Sequence, residues 1–249
     1  MCRFLAYHGP PVRLHELLYK PEHSLIHQSV HANERKEPLN GDGWGVGWYA
    51  PGVSEQPGLY RTLHPAWSDD NMRHVSPVVE TPLFLAHVRA ASPGLAVQQL
   101  NCHPFRGGRH DHRDPEELDA VERGRRRMLF MHNGVIGGYR KVIRRLHQQL
   151  SDDLFHSIQG STDSEHAFAV IQEALGEAAA KPSLEDLSDA VRRGLTFLHD
   201  LKHQVGAGEE DTHANFLLTD GACMVATRYA DESVEDPPSL YVGQAGSFF

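Results

Sequence analysis

The run "GDGWGVGWYA" (41–50) restricts the fold more than any other stretch of the chain. Side chains of a strand alternate between its two faces. Gly41, Gly43, Gly45 and Gly47 therefore share one face, and Trp44, Val46 and Trp48 share the other. Such a strand buries its aromatic face in a core and leaves a bare face for close approach of backbone or ligand. A formal GxGxxA match lies within the run at 45–50. A dinucleotide-binding turn, however, leads from a strand into a helix, and here Pro51 and Gly52 follow the alanine. The run predicts a strand, not a nucleotide loop.

Further strands are predicted at "CRFLAY" (2–7), "TPLFLAHVRAA" (81–91) and "RMLFMHNG" (127–134), with loops at 51–58 and 106–117. Helices follow. In 137–150, Tyr139, Val142, Ile143, Leu146 and Leu150 recur at helical spacing. The 161–175 segment opens with a capping box, Thr162 to Glu165, and carries Phe168, Ile171 and Leu175 along one stripe. The 183–201 segment has Ser183 with Asp186 as its cap and a stripe of Leu184, Leu187, Val191, Leu195 and Leu198. "HANFLLTD" and "CMVATRY" then read as a hairpin across Asp220-Gly221. Strands, a helical block and strands again predict a layered α/β or α+β fold rather than regular strand–helix alternation. No repeat or low-complexity linker divides the chain, so residues 2–249 are expected to form a single domain.

The formal net charge of -9 argues against a nucleic-acid partner. The basic runs "RGRRR" (123–127) and "RKVIRR" (140–145) read as solvated surface. No run approaches the ~18–20 apolar residues of a membrane span, and the first residues lack a signal-peptide pattern, so a cytoplasmic location is expected. Three widely spaced cysteines, Cys2, Cys102 and Cys223, suggest reduced thiols rather than a disulfide framework. "HDHRD" (110–114) offers two histidines in a polar loop, too few ligands for zinc, and no metal or cofactor is expected. That stretch reads as a helix start, with Asp114 as N-cap and Pro115 at N1.

Several fragments could carry chemistry. Removing Met1 would leave a thiol and an α-amine together on Cys2, a nucleophile with its own proton acceptor. Standing alone, a Met-Cys start reads as a small core residue. Arg89, at the end of an apolar strand, suits a carboxylate, though a surface ion pair would also account for it. Asn101 and His103 in "NCHPF" read as loop-holding residues. "MHNGV" presents the Asn133 amide beside the Gly134 N–H, a possible oxyanion pair or an ordinary turn. Asp163 lies at the mouth of a capped helix, where the helix dipole suffices to explain it and where a ligand's ammonium would also find an acceptor. Together these groups suit a zwitterionic amino acid attacked at its side-chain amide, which is glutamine or a γ-glutamyl compound.

"MCRFLAY", "NGDGWGVGWY", "AHVRAAS", "NCHPF", "HNG" and "GSTDSE" occur in this order over residues 2–175. In this ordered set the chain resembles the class II glutamine amidotransferases, a family of N-terminal-nucleophile hydrolases. The "MCRF" start, "HSLIHQS" (23–29) and the glycine run look like its stand-alone members, such as the ergothioneine-pathway amidohydrolase and the amidotransferase subunit of a glutathione-degrading complex. The resemblance implies a four-layer αββα sandwich. It implies Cys2 as nucleophile with its α-amine as base, and Asn133 with Gly134 as the oxyanion hole. Arg89 would bind the substrate α-carboxylate, with Ser92 where many members have threonine, and Asp163 the α-amine. Asn101 and His103 would support the pocket. Pro93 follows Ser92 where better-known synthases have histidine. The hydrolase alone would use up the 249 residues, so the implied activity is hydrolysis of a γ-glutamyl amide through a thioester. The alternatives are delivery of ammonia to a separate partner chain, a synthetase or peptidase, and a catalytically idle γ-glutamyl-binding subunit. Contacts to the leaving group are expected from the loops 51–58 and 106–117.

Overall fold

The glycine-alternating run forms a central strand of the computed structural model, which describes residues 2–30, 39–91 and 96–244. Four strands make the first sheet: β1 (Arg3–Arg13), β2 (Trp44–Trp48), β3 (Gly58–Thr62) and β4 (Glu80–Val88). All pairs are antiparallel, in the order β1-β4-β2-β3. Short helices α1 (Leu14–Leu18), α2 (Leu25–Val30) and α3 (Asp70–Val75) accompany it. The second sheet contains β5 (Phe105–Arg106), β6 (Leu129–Val135), β7 (His213–Thr219) and β8 (Met224–Ala226) in that order, with β9 (Tyr229–Ala230) also paired to β7. Its helices are α4 (Ala120–Arg127), α5 (Tyr139–His147), α6 (Asp152–Ser157), α7 (Asp163–Leu175) and α8 (Leu184–Gln204).

Three apolar layers separate four layers of structure. Phe84, Ala86 and Val88 of β4 join Trp44 and Val46 in a core shared with α1, α2 and α3. Leu83 and Leu85, the alternate residues of β4, meet Leu129, Met131 and Leu217 of the second sheet. Phe130, Phe216 and Leu218, on the other face of the second sheet, pack against α7 and α8. Phe130 stacks on Phe168 and tilts against Phe216, both at 5.0 Å between centroids. Such pairs add ~0.5–1.5 kcal/mol beyond their buried area. The order helix, sheet, sheet, helix is the αββα sandwich.

The bare face of β2 is what allows the two sheets to approach. A Cβ on Gly45 would lie 2.4 Å from the His103 carbonyl, and one on Gly47 would lie 2.6 Å from Leu129. The glycines thus admit the second sheet's backbone and core, while the indoles face the outer helices.

Both long helices carry their predicted N-cap residues, but only α8 closes the predicted capping box. Thr162 Oγ1 accepts from Glu165 N–H at 3.2 Å, and Ser183 with Asp186 closes a full capping box. The Glu165 carboxylate reaches further back than a capping box requires, to the N–H groups of Gln159 and Gly160. Leu184, placed on the buried stripe by its spacing, is 53% exposed in the first turn of α8. The predicted hairpin forms between β7 and β8.

Two readings of the polar segments need correction. Asp114 and Pro115 start only a single 3-10 turn, Pro115–Glu117, and Asp119 caps the helix that follows. Within that helix Arg126 is buried rather than solvated, because Glu122 one turn earlier and Asp111 neutralise it. The second basic run behaves as expected: Arg140, Lys141, Arg144 and Arg145 are exposed on α5.

Candidate active site

Strand register brings the predicted residues to one end of the layer between the sheets. Arg3 pairs with Val88, so Cys2 stands beside the segment that begins with Arg89. The Cys2 thiol lies 3.5 Å from Ala90 N and 3.6 Å from Ala90 O. Arg89 N–H donates to the Gly43 carbonyl at 2.9 Å, which ties β2 to the same place. On β6, Leu129 and Met131 face the inter-sheet core, and Asn133 follows on that face opposite Asn215 of β7. The ring Nε2 of His87 lies 3.3 Å from the His132 carbonyl. That contact joins the two sheets close to Arg89 and Asn133.

Arg89 is only 3% exposed. Its guanidinium donates to the carbonyls of Ala96 at 3.1 Å and Asp42 at 3.5 Å, and among the described residues no carboxylate comes within ion-pair reach. A buried cation held, among the described residues, by carbonyl dipoles and the neighbouring Cys102 thiol, with no ion-pair partner, is prepared for an anion. Asn101 fastens this wall: its amide donates to Ala96 O and Ser161 Oγ, and its Oδ1 accepts from Ser161 N–H.

Asp163 opens α7, and its two oxygens accept from Ser164 N–H and Ile136 N–H, both at 2.8 Å. The second bond ties the helix start to the end of the Asn133-Gly134 strand. At Gly134, φ is +159°, and an added Cβ would lie 1.9 Å from the His213 carbonyl. No side chain fits there. Among the described residues, the Asn133 Oδ1 is buried without a hydrogen-bond partner. One end of the sandwich thus gathers a thiol, an unpaired guanidinium, a carboxylate at a helix start and an Asn-Gly pair.

A sequence profile of the glutamine amidotransferases class-II matches residues 22–235. The chain belongs to the class II glutamine amidotransferases.

Its similarity to the probable glutamine amidotransferase DUG3 of Saccharomyces cerevisiae is 33% identity, covering 100% of this chain and 69% of that protein. That alignment includes Cys2, which lies outside the profile match. The gamma-glutamyl-hercynylcysteine sulfoxide hydrolase of Mycobacterium tuberculosis is 25% identical over 93% of this chain and 78% of its own length. A solved glutamine aminotransferase class-II domain protein from Silicibacter pomeroyi superposes with a TM-score of 0.61 at 27% identity, covering 94% of this chain and 79% of that one.

In this amidotransferase the electrostatics of the thiol are mixed. Burial pushes the Cys2 thiol up, Arg89 pulls it down, and Asp163 and Asp42 push it up again. The net direction is upward, so the thiol needs a base to become a nucleophile. Three histidines below it are kept neutral, chiefly by burial. His87 is pushed down to about 3, His103 lies well below the ordinary range, and His132 is also lowered.

The class II architecture therefore unites Cys2, Arg89, Asn133, Gly134 and Asp163, with Asn101 and His103 beneath. Ser92 lies outside the described residues. The loops at 51–58 and 106–117 are not at this end. Trp48 pairs with Gly58 at the far end of β2, and Arg106 pairs with Leu129, four residues before Asn133.

Sequence reasoning missed Asp42, whose Oδ2 receives the Ala91 N–H at 2.7 Å and fixes the turn after Arg89. It also missed Ser164, whose hydroxyl lies 2.9 Å from His132 Nδ1. Asp42 sits inside the glycine run, and its place between two glycines was the available signal.

Proposed function

We propose that this amidotransferase hydrolyses γ-glutamyl amides through a γ-glutamyl thioester on Cys2. The reading rests on one observation above all: the half-buried thiol, the unpaired guanidinium of Arg89, the Asn133-Gly134 pair and Asp163 converge at one end of the inter-sheet layer. In this reading residues 2–249 act as one domain. The names of the relatives support amide chemistry at a glutamyl group, and an amidotransferase among them keeps ammonia transfer to a partner synthetase or peptidase chain as a variant of the same half-reaction.

Each step follows from the groups present. Arg89 binds the substrate α-carboxylate as a fork, Asp163 binds the α-ammonium, and Ser92 is a further substrate-binding residue. With Met1 removed, the α-amine of Cys2 takes the thiol proton. A free α-amine titrates near ~7.7–8.0, low enough to accept that proton at neutral pH. Sγ attacks the γ-carbonyl, and the oxyanion is held by the Asn133 amide and the Gly134 N–H. The protonated amine then supplies the proton to the leaving nitrogen. Water hydrolyses the thioester, releasing glutamate and restoring the thiol. Asn101 and His103 hold the walls. No metal or cofactor enters the scheme. Among the described residues no helix is long and apolar enough to cross a membrane. Cys2, Cys102 and Cys223 are free thiols, which supports our assignment to the reducing cytoplasm.

Arg89→Lys keeps the charge but loses the fork. In glutamate-release assays it is expected to raise KM by about 10–100-fold with kcat little changed, the worth of a charge-assisted pair. An unchanged KM would remove Arg89 from the carboxylate site.

A further inference from the structure

"HDHRD" and "RGRRR", which the catalytic reading leaves unused, meet beyond the Leu129 end of β6. Together with the loop after β2 they wall a cleft of about 600 Å³. That volume is typical of small-molecule sites, roughly 300–1,000 Å³. Arg106 pairs with Leu129, and Asn133 lies four residues further along β6. At ~3.3 Å per residue the two ends are about 13 Å apart, so the cleft is separate from the Cys2 pocket.

Its guanidinium groups are in unequal states. Arg126, 2% exposed, is fully matched: it bonds Glu122 Oε1 at 3.0 Å, the Asp111 carboxylate, and the Arg113 carbonyl at 3.4 Å. Arg113 shares the same Asp111 carboxylate at 2.8 Å. Asp111 is thus occupied twice. Arg106 is half-buried, its Nη1 donates only to the neutral Gln56 amide oxygen at 3.3 Å, and no carboxylate is within ion-pair reach among the described residues. Arg123 is half-buried too. It donates to the Leu118 carbonyl at 3.1 Å, while its Nε is buried with no partner among the described residues. Burial of neighbouring His110, and to a lesser extent Arg106, Arg61 and Arg126, pushes its pKa down to about 4. Glu55 and Glu116 also line the cleft but are exposed, where water and salt screen them.

Among the described residues, Arg106 and Arg123 are two partly desolvated guanidinium groups facing one cavity with no carboxylate in direct contact, although Asp111 and Glu122 lie near enough to Arg106 to act on it. An anion bound between them would offset the cost of that desolvation. We propose that this cleft binds a small multivalent anion, bearing phosphate or carboxylate groups, through Arg106 and Arg123. Guanidinium forks suit both chemistries.

The full chain would be titrated by calorimetry in phosphate-free buffer at ~0.15 M sodium chloride. The probes are inorganic phosphate, pyrophosphate and succinate. At least one is expected to bind with Kd below about 1 mM. Binding of the phosphates alone would assign a phosphorylated ligand, and binding of succinate alone a dicarboxylate. Arg106→Gln and Arg123→Gln are each expected to weaken binding by about tenfold or more. Gln56→Glu, which neutralises Arg106 without removing it, should do the same should Arg123→Gln fail to fold. None of these variants should alter glutamine hydrolysis without added anion. The site is overturned if no probe binds below about 10 mM. It is equally overturned if Arg106→Gln and Gln56→Glu bind as the parent does, or if binding is lost only in Arg89→Lys.

Discussion

Cys2→Ala is expected to lose glutamate release by about 10⁴–10⁶-fold while the fold remains intact. Removing the nucleophile of a covalent mechanism leaves only binding and oxyanion stabilisation, which act as a unit with it and cannot replace it. Little structure depends on the side chain. Cys2 precedes β1, is half-buried, and its thiol makes only weak contacts with Ala90 near 3.5 Å. The melting temperature is therefore expected to move by no more than about 2–4 °C. Steady-state assays with glutamine and a γ-glutamyl conjugate, beside circular dichroism, check both halves. Retained activity in a folded variant would remove Cys2 from the chemistry.

Asn133→Ala is the second large effect, about 10²–10³-fold in kcat with KM nearly unchanged. The oxyanion exists only after attack, so a donor aimed at it stabilises the transition state and not bound substrate. The β6–β7 ladder is made by backbone, and the Asn133-to-Asn215 register survives loss of the amide. A rise in KM with unchanged kcat would show instead that Asn133 binds ground-state substrate.

Local signals in the sequence were good guides to local structure. The glycine alternation foretold β2, because only a bare face lets the second sheet's backbone approach to the distance seen at Gly45. Caps at Thr162 and Ser183 foretold α7 and α8. Helices α1, α2 and α3, of five or six residues each, span too few turns to show a period. Arg126 was misread because a run of arginines does not reveal which one points inward. Glu122, four residues earlier, was the usable clue. The site itself was legible as fragments, each explained by a duller role on its own. Their meeting depends on register between β1, β4 and β6, which periodicity cannot supply. His87 and His132 likewise carry no local signal, because their approach to each other depends on how the two sheets pack. Loops 51–58 and 106–117 were assigned to the leaving group without knowing which end of each strand they leave.

In the proposed mechanism the working chain begins at its own nucleophile. Intact-mass and peptide mapping of active protein, acid-quenched during glutamine turnover, test it most directly. The expected result is a chain starting at Cys2, without Met1, and carrying a γ-glutamyl thioester on the Cys2 thiol. Full activity in protein that retains Met1, or a glutamyl adduct on Cys102 or Cys223 instead, would contradict it.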